Sequence, residues 1–402
     1  MKDPEGVLGT HRVVACVGSG GVGKTTLAAA LALGAARRGQ RALVLTIDPA
    51  RRLADAMGVE LGSEPTRLSA PVLRELGVRD GSLAAMMLDT KRTFDELVMR
   101  FARDDATRDR IFANPIYQHV SDALAGSSEY SAMEKVDELV SGGEYDVVVL
   151  DTPPSQHALD FLEAPERLVG LIDSRIARHL LHPAMSAGRV GLRLFQRGTQ
   201  PLFRVLEKIS GMGFLEDLSE FLLLFEEMSE GFRGRADHVR ELLFGGATAF
   251  VVASGPGAGQ VDQALAMAQR LGDMGASVEG LILNRMRRWP DGADGSSVAS
   301  ARPGEWVGLA EALAAGGLGE ADARRATDGA RRCAESYLLQ VKRDAETTAP
   351  IVRLARTLDG FVRTVPELPR DVHDLVALGQ IEAQLFRPEG SGDAPAGAGD
   401  RT

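Results

Sequence analysis

Short, near-continuous apolar runs alternate along the chain with helical stretches. The runs Arg12–Gly18, Arg41–Ile47, Asp146–Leu150, Thr248–Ala253, Val278–Leu283 and Phe361–Val365 predict strands. Several are rich in valine, and few polar residues interrupt them. That pattern suits strands buried on both faces of a parallel sheet. Helices between them would cover those faces, which predicts a doubly wound, mostly parallel α/β fold. The first is the Ala/Leu-rich stretch Leu27–Arg38, with good helix propensity.

The rhythm breaks from about Leu171 to the strand at Thr248, a region that reads as helical throughout. It holds apolar residues such as Leu202, Phe203, Leu206, Met212, Phe214, Phe221 and Phe225. A second helical stretch runs from Phe94 to Val140. Both read as helical insertions, at about residues 94–140 and 172–244 of a domain covering 11–387. Their apolar residues either pack internally or form an exposed surface for a hydrophobic client; Met86, Met87 and Met212 suit such an adaptable surface. Residues 1–10, short and polar, are expected to be disordered, and so is the Gly/Ala/Pro/Asp-rich tail, 388–402. Arg287–Pro303 reads as a mobile loop. Glu305–Leu358 reads as largely helical, broken at Gly316-Gly317 and at Pro350.

Composition narrows the function classes. The 402 residues carry 46 basic and 56 acidic side chains, a net charge of −10. A general nucleic-acid binder would show a basic excess or stripe instead. Two cysteines, Cys16 and Cys333, with no C-x-x-C, make a reducing cytoplasm the expected compartment. The N-terminus lacks the apolar core of a signal peptide. Apolar runs such as Leu27–Leu33 are too short to span a membrane.

The candidate chemistry is concentrated after three of the strands. Gly18-Ser19-Gly20-Gly21-Val22-Gly23-Lys24-Thr25-Thr26 satisfies G-x-x-x-x-G-K-[ST] between a strand and a helix start. In that context the glycines let backbone N–H groups face phosphate oxygens, and the helix presents its positive end to the same anion. Lys24 would reach the β- and γ-phosphates of a bound nucleotide, and Thr25 would hold Mg²⁺. Asp48 follows the second strand, where an acid either orients the attacking water or caps the next helix. Val147–Leu150 ending in Asp151 fits a Walker B strand, whose carboxylate supports Mg²⁺; alone it would read as a buried strand with an acid at its end. Pro153 and Pro154 suit a segment that moves as a unit with the γ-phosphate.

These segments together resemble the deviant-Walker ATPases of the arsenite-pump and guided-entry tail-anchored-protein targeting family, most closely its bacterial anion-transporting branch. The resemblance covers about residues 10 to 385 and rests on Gly20–Thr26, Asp48-Pro49-Ala50, Asp151–Pro154, His157 and Leu159–Leu162. It implies that Asp48 is the water-activating switch I aspartate and that Asp151 opens switch II. It also implies that Asn284 contacts adenine and that Val365-Pro366-Glu367-Leu368 lies over the adenine ring. Met86–Lys91 and Arg51-Arg52 also match this branch. His157 either senses the nucleotide or makes a local structural hydrogen bond.

The chain departs from the family in four places. Ser19 stands where the family carries a second lysine that crosses the dimer interface. Arg51 or Arg52 would supply that charge, unless both are ordinary helix-surface charges. Without C-x-x-C no structural zinc is expected, and without a thiol cluster arsenite activation is not expected. Ser254-Gly255-Pro256-Gly257 offers no glutamate for a cross-dimer contact. The expected activity is Mg²⁺-dependent ATP hydrolysis driving conformational change in a homodimer, or in a heterodimer with a paralogue. Its output would be handling of a hydrophobic client or driving of a membrane partner. The alternatives are a regulatory switch of ParA/MinD type, which needs a basic or amphipathic docking element, and a small-molecule kinase.

Overall fold

The structure, a computed structural model, describes residues 2–48, 52–120, 127–153, 217, 220–221, 223–225, 227–289, 303–372 and 374–387. Eight strands form one sheet: β1 (Val13–Gly18), β2 (Arg41–Thr46), β3 (Thr66–Arg67), β4 (Ser82–Met87), β5 (Val147–Asp151), β6 (Thr248–Ser254), β7 (Ser277–Met286) and β8 (Phe361–Pro366). Their spatial order is β3-β4-β2-β5-β1-β6-β7-β8. Every neighbouring pair is parallel except β3 with β4. The carboxyl ends of all seven parallel strands therefore share one edge. This is the expected α/β fold.

Alternate residues of the central strands enter different cores, which is why those runs are almost entirely apolar. Val14, Cys16, Val44 and Val149 pack with α1 (Pro4–Thr10), α2 (Lys24–Arg37) and α13 (Leu375–Leu385). Val13, Ala15, Val17, Leu43 and Leu150 pack on the opposite face. There they meet α8 (Ser127–Ser141), α9 (Ser229–Phe244), α10 (Ala258–Asp273) and α12 (Glu320–Thr357). The remaining helices are α3 (Arg52–Met57), α4 (Ala70–Glu75), α5 (Thr90–Phe101), α6 (Asp105–Ala113), α7 (Pro115–Val120) and α11 (Pro303–Ala315). A third cluster joins Phe94, Tyr117, Phe221, Phe225 and Phe232. Phe94 lies 6.1 Å from Phe225 and 6.2 Å from Phe232, ring centre to ring centre. These insertion phenylalanines are core.

Several expectations are corrected. The N-terminus is not disordered: Asp3 caps α1 by accepting from the Gly6 N–H at 2.6 Å, Pro4 opens the helix, and Val7 and Leu8 are buried against α2. β4 was not anticipated, because its Ser-Leu-Ala-Ala-Met-Met run lacks β-branched residues. Pairing with β2 along its whole length overrides that weak propensity. Met86 is consequently 1% exposed and part of the core, not of a client surface. Asp151 ends β5, and Asn284 lies inside β7, rather than following those strands. Gly316-Gly317 does separate α11 from α12, but Pro350 does not interrupt α12. The turn after the proline buries Ile351 and Ala355 against the sheet, which offsets the lost backbone hydrogen bond. The helical stretch expected at 94–140 is occupied by α5 to α8; of that expected at 172–244, residues up to 216 and 218, 219, 222 and 226 lie outside the described residues, as do Pro154, His157, Leu159–Leu162, the loop 290–302 and the tail.

Candidate nucleotide site

The loop 18–23 joins the tip of β1 to the first turn of α2. Two of its glycines are required by geometry. A Cβ on Gly18 would lie 2.3 Å from the Ala253 carbonyl oxygen of β6. Gly23 adopts φ +87°, and a Cβ there would lie 2.4 Å from the Asn284 Nδ2. Gly23 provides no side-chain cap, so the first-turn N–H groups at Lys24, Thr25 and Thr26 have no capping side chain. Gly20 and Gly21 are exposed and Val22 is buried.

Lys24 is buried, and its Nζ donates to the carbonyl oxygens of Gly18 and Ser19, at 3.0 Å each. Burial lowers its ammonium below the ordinary range, and the nearby Asp151, Cys16 and Asp48 oppose that shift. Asp151 is 1% exposed. One of its oxygens, Oδ2, accepts from the Thr46 hydroxyl at 2.9 Å. The other, Oδ1, is buried with no hydrogen-bond partner. Burial lifts this carboxyl from its ordinary 3.8 to about 6, against the pull of Thr25, Thr46 and Lys24. An unpartnered buried carboxylate oxygen beside a threonine hydroxyl is a donor set that fits Mg²⁺, a cation that takes one or two carboxylates plus phosphate oxygens and water. The Ser19 hydroxyl is likewise buried without a partner.

Thr46 was not singled out from the sequence. Its hydroxyl, besides donating to Asp151, accepts from the Asp48 N–H at 3.2 Å. It thus ties the second strand's acid to the Walker B acid. The only sequence signal was a hydroxyl ending an aliphatic run two residues before Asp48. The Asp48 carboxylate faces Arg52 of α3 at 3.8 Å. Pro49, Ala50 and Arg51 lie outside the described residues. Thr152 also escaped notice; its hydroxyl donates to the Cys16 carbonyl at 2.7 Å and ties the chain leaving β5 to β1. The Cys16 thiol, pushed up by burial, is inert.

Asn284 sits against the loop. Its Nδ2 donates to the Val22 carbonyl at 2.7 Å, and its Oδ1 accepts from the Arg285 N–H at 3.0 Å. Arg285 takes φ 57°, where the β7–β8 register shifts. Pro366 pairs with Met286, and the Glu367 N–H donates to the Met286 carbonyl at 3.0 Å. Leu368 packs on the α2-side core. Asn284 and 366–368 therefore lie at the ends of adjacent strands, on the same sheet edge as the loop.

A parallel sheet with a phosphate loop at the tip of one strand and a buried acid at the tip of its neighbour defines a P-loop nucleoside-triphosphatase fold. The chain belongs to the anion-transporting ATPase (ArsA) family, whose sequence model matches residues 11–290. It is similar to an ATPase GET3 of Malassezia globosa, 33% identical over 38% of this chain and 42% of that protein. A putative arsenical pump-driving ATPase of Halobacterium salinarum is 33% identical over 39% of this chain and 24% of its own length. An ATPase get3 of Aspergillus terreus is 29% identical over 54% of this chain and 61% of its own. The matched regions span less than two thirds of each relative.

Proposed function

We propose that the protein is a Mg²⁺-dependent ATP hydrolase whose nucleotide cycle drives a change in how two chains associate. The observation that carries this reading is the arrangement at the strand tips. A desolvated Lys24 is parked on loop carbonyls, with Asp151, Thr46 and Asp48 linked behind it. On this reading the loop N–H groups and Lys24 hold the phosphates, and Asp48 orients the attacking water. Thr25, Asp48 and Asp151 would hold Mg²⁺, which supplies charge neutralisation at the β- and γ-phosphates. Asn284 and Pro366, Glu367 and Leu368 would flank the base. Arg52, already beside Asp48, is the candidate for the positive charge that Ser19 does not provide; Arg51 is its neighbour.

Coupling to a hydrophobic client or to a membrane partner is the proposed output; the second is in keeping with the pump-driving name of one relative. Among the described residues no helix is long and apolar enough to cross a membrane, so driving transport would call on a separate membrane protein. Titration calorimetry with ATP and magnesium tests the site. Lys24→Ala is expected to weaken ATP binding by about tenfold or more, as loss of charge-assisted hydrogen bonds implies. Unchanged affinity and unchanged phosphate release in that variant would reject the reading.

A further inference from the structure

The face of β2 that packs on α2 reads Ala42, Val44 and then Thr46, and the matching face of β5 reads Val147, Val149 and then Asp151. Thr46 and Asp151 are direct partners in the β2–β5 register. Both side chains therefore leave the sheet toward α2, whose first turn carries Lys24 and Thr25. Thr46 is 1% exposed. A valine of the same shape would continue the aliphatic pattern at this position, and a buried hydroxyl is costly unless it is hydrogen-bonded. A hydroxyl has one proton to donate and two lone pairs. Here the proton goes to the Asp151 Oδ2 at 2.9 Å, and a lone pair takes the Asp48 N–H at 3.2 Å. The backbone around this oxygen is held from both sides. The Thr46 carbonyl accepts from the Leu88 N–H at 2.9 Å, and the Ile47 N–H donates to the Asp151 carbonyl at 3.3 Å.

We propose that Thr46 is a positioning residue for ATP hydrolysis, a role that deepens the ATPase reading and rests on it. Its hydroxyl engages one oxygen of Asp151, so that Oδ1 is the oxygen left without a protein partner. The same hydroxyl holds the Asp48 N–H and so fixes the direction in which the chain leaves β2. Pro49 follows in the sequence, and a proline restricts the backbone of the residue before it. One oxygen atom thus orients both acids without touching the nucleotide. Its removal would loosen the Asp48 carboxylate from its place beside the attacking water. The loop N–H groups and Lys24, which hold the phosphates, would be unaltered. The loss therefore falls on the chemical step rather than on ATP binding.

Two substitutions separate the hydroxyl from the packing. Thr46→Val keeps the shape and removes the hydroxyl; Thr46→Ser keeps the hydroxyl and removes the methyl group. Steady-state hydrolysis of ATP with magnesium, well below the melting temperature of each chain, is the first readout. Thr46→Val is expected to lower kcat about tenfold or more with KM within about threefold of wild type, and Thr46→Ser to keep kcat within about threefold. A threonine needed for packing alone would reverse that order. The second readout needs no nucleotide: hydrogen–deuterium exchange at the Asp48 N–H is expected to be about tenfold faster in Thr46→Val and unchanged in Thr46→Ser. Should Thr46→Val not fold, Thr46→Ala takes its place, since alanine and serine differ by the hydroxyl alone. A Thr46→Val chain as fast as wild type, a Thr46→Ser chain as slow as Thr46→Val, or a loss carried by KM would overturn the proposal and leave the ATPase reading standing. A wild-type chain that releases no phosphate from ATP would overturn both.

Discussion

Asp151 carries an electrostatic penalty from burial, and its pH dependence follows. The unfolded chain releases this proton near 3.8 and the folded chain near 6. Between those values the folded state holds more protons, so stability falls as pH rises. The full cost, about 3 kcal/mol, is present above the folded value and absent below the unfolded one. Asp151→Asn is therefore expected to stabilise the nucleotide-free protein in EDTA at neutral pH. That gain should shrink as the pH is lowered through the window, in urea melts at several pH values. A gain that does not vary with pH would contradict the assignment. Asp151 was legible in the sequence, because four aliphatic residues ending in an acid beside a phosphate loop have few other meanings. The strap through Thr46 was not, because a threonine at a strand end reads as an ordinary β residue until its two partners are brought together.

At the scale of elements, α3 and α1 make separate predictions. α3 begins with Arg52 beside Asp48. If its charge enters the transition state, Arg52→Ala lowers kcat by about tenfold or more with a smaller change in KM. No effect there or in Arg51→Ala would remove both arginines from the mechanism. α1 packs Leu8, 1% exposed, into the α2 core. Leu8→Ala is expected to cost about 3 kcal/mol in chemical denaturation, whereas a disordered N-terminus would show no change. Six of the eight strands were readable, the central ones because burial on both faces leaves almost no polar position to confuse the pattern. β4 was not, since its alanines and methionines declare no preference and its strand state comes from β2. Pro350 misled for the related reason that packing of one helical face outweighs a local breaker.

For the molecule as a whole, a nucleotide cycle should be visible as a change in association. In Asp48→Asn, which on the proposed reading no longer hydrolyses ATP, light scattering is expected to report a different mass or dissociation constant in ATP than in ADP. Identical behaviour in ATP, in ADP and without nucleotide would sever hydrolysis from assembly. What such a cycle acts upon was not legible, because the residues that would meet a client or a membrane partner carry no chemistry as distinctive as a phosphate loop.

The position of β1 has a consequence for biosynthesis. Val13 pairs with Val148 on one side and with Thr248 on the other. A ribosome adding about 5–20 residues per second needs on the order of ten to fifty seconds to make the chain between Val13 and its second partner. Throughout that interval the strand bearing the phosphate loop keeps a naked apolar edge, open to pairing with other nascent chains. Gly18, which opens the loop, gains its pairing with Ala253 only when the later strand docks, so nucleotide is not expected to rescue such intermediates. Expression at lower temperature or with holding chaperones should therefore raise the soluble yield more than added nucleotide does.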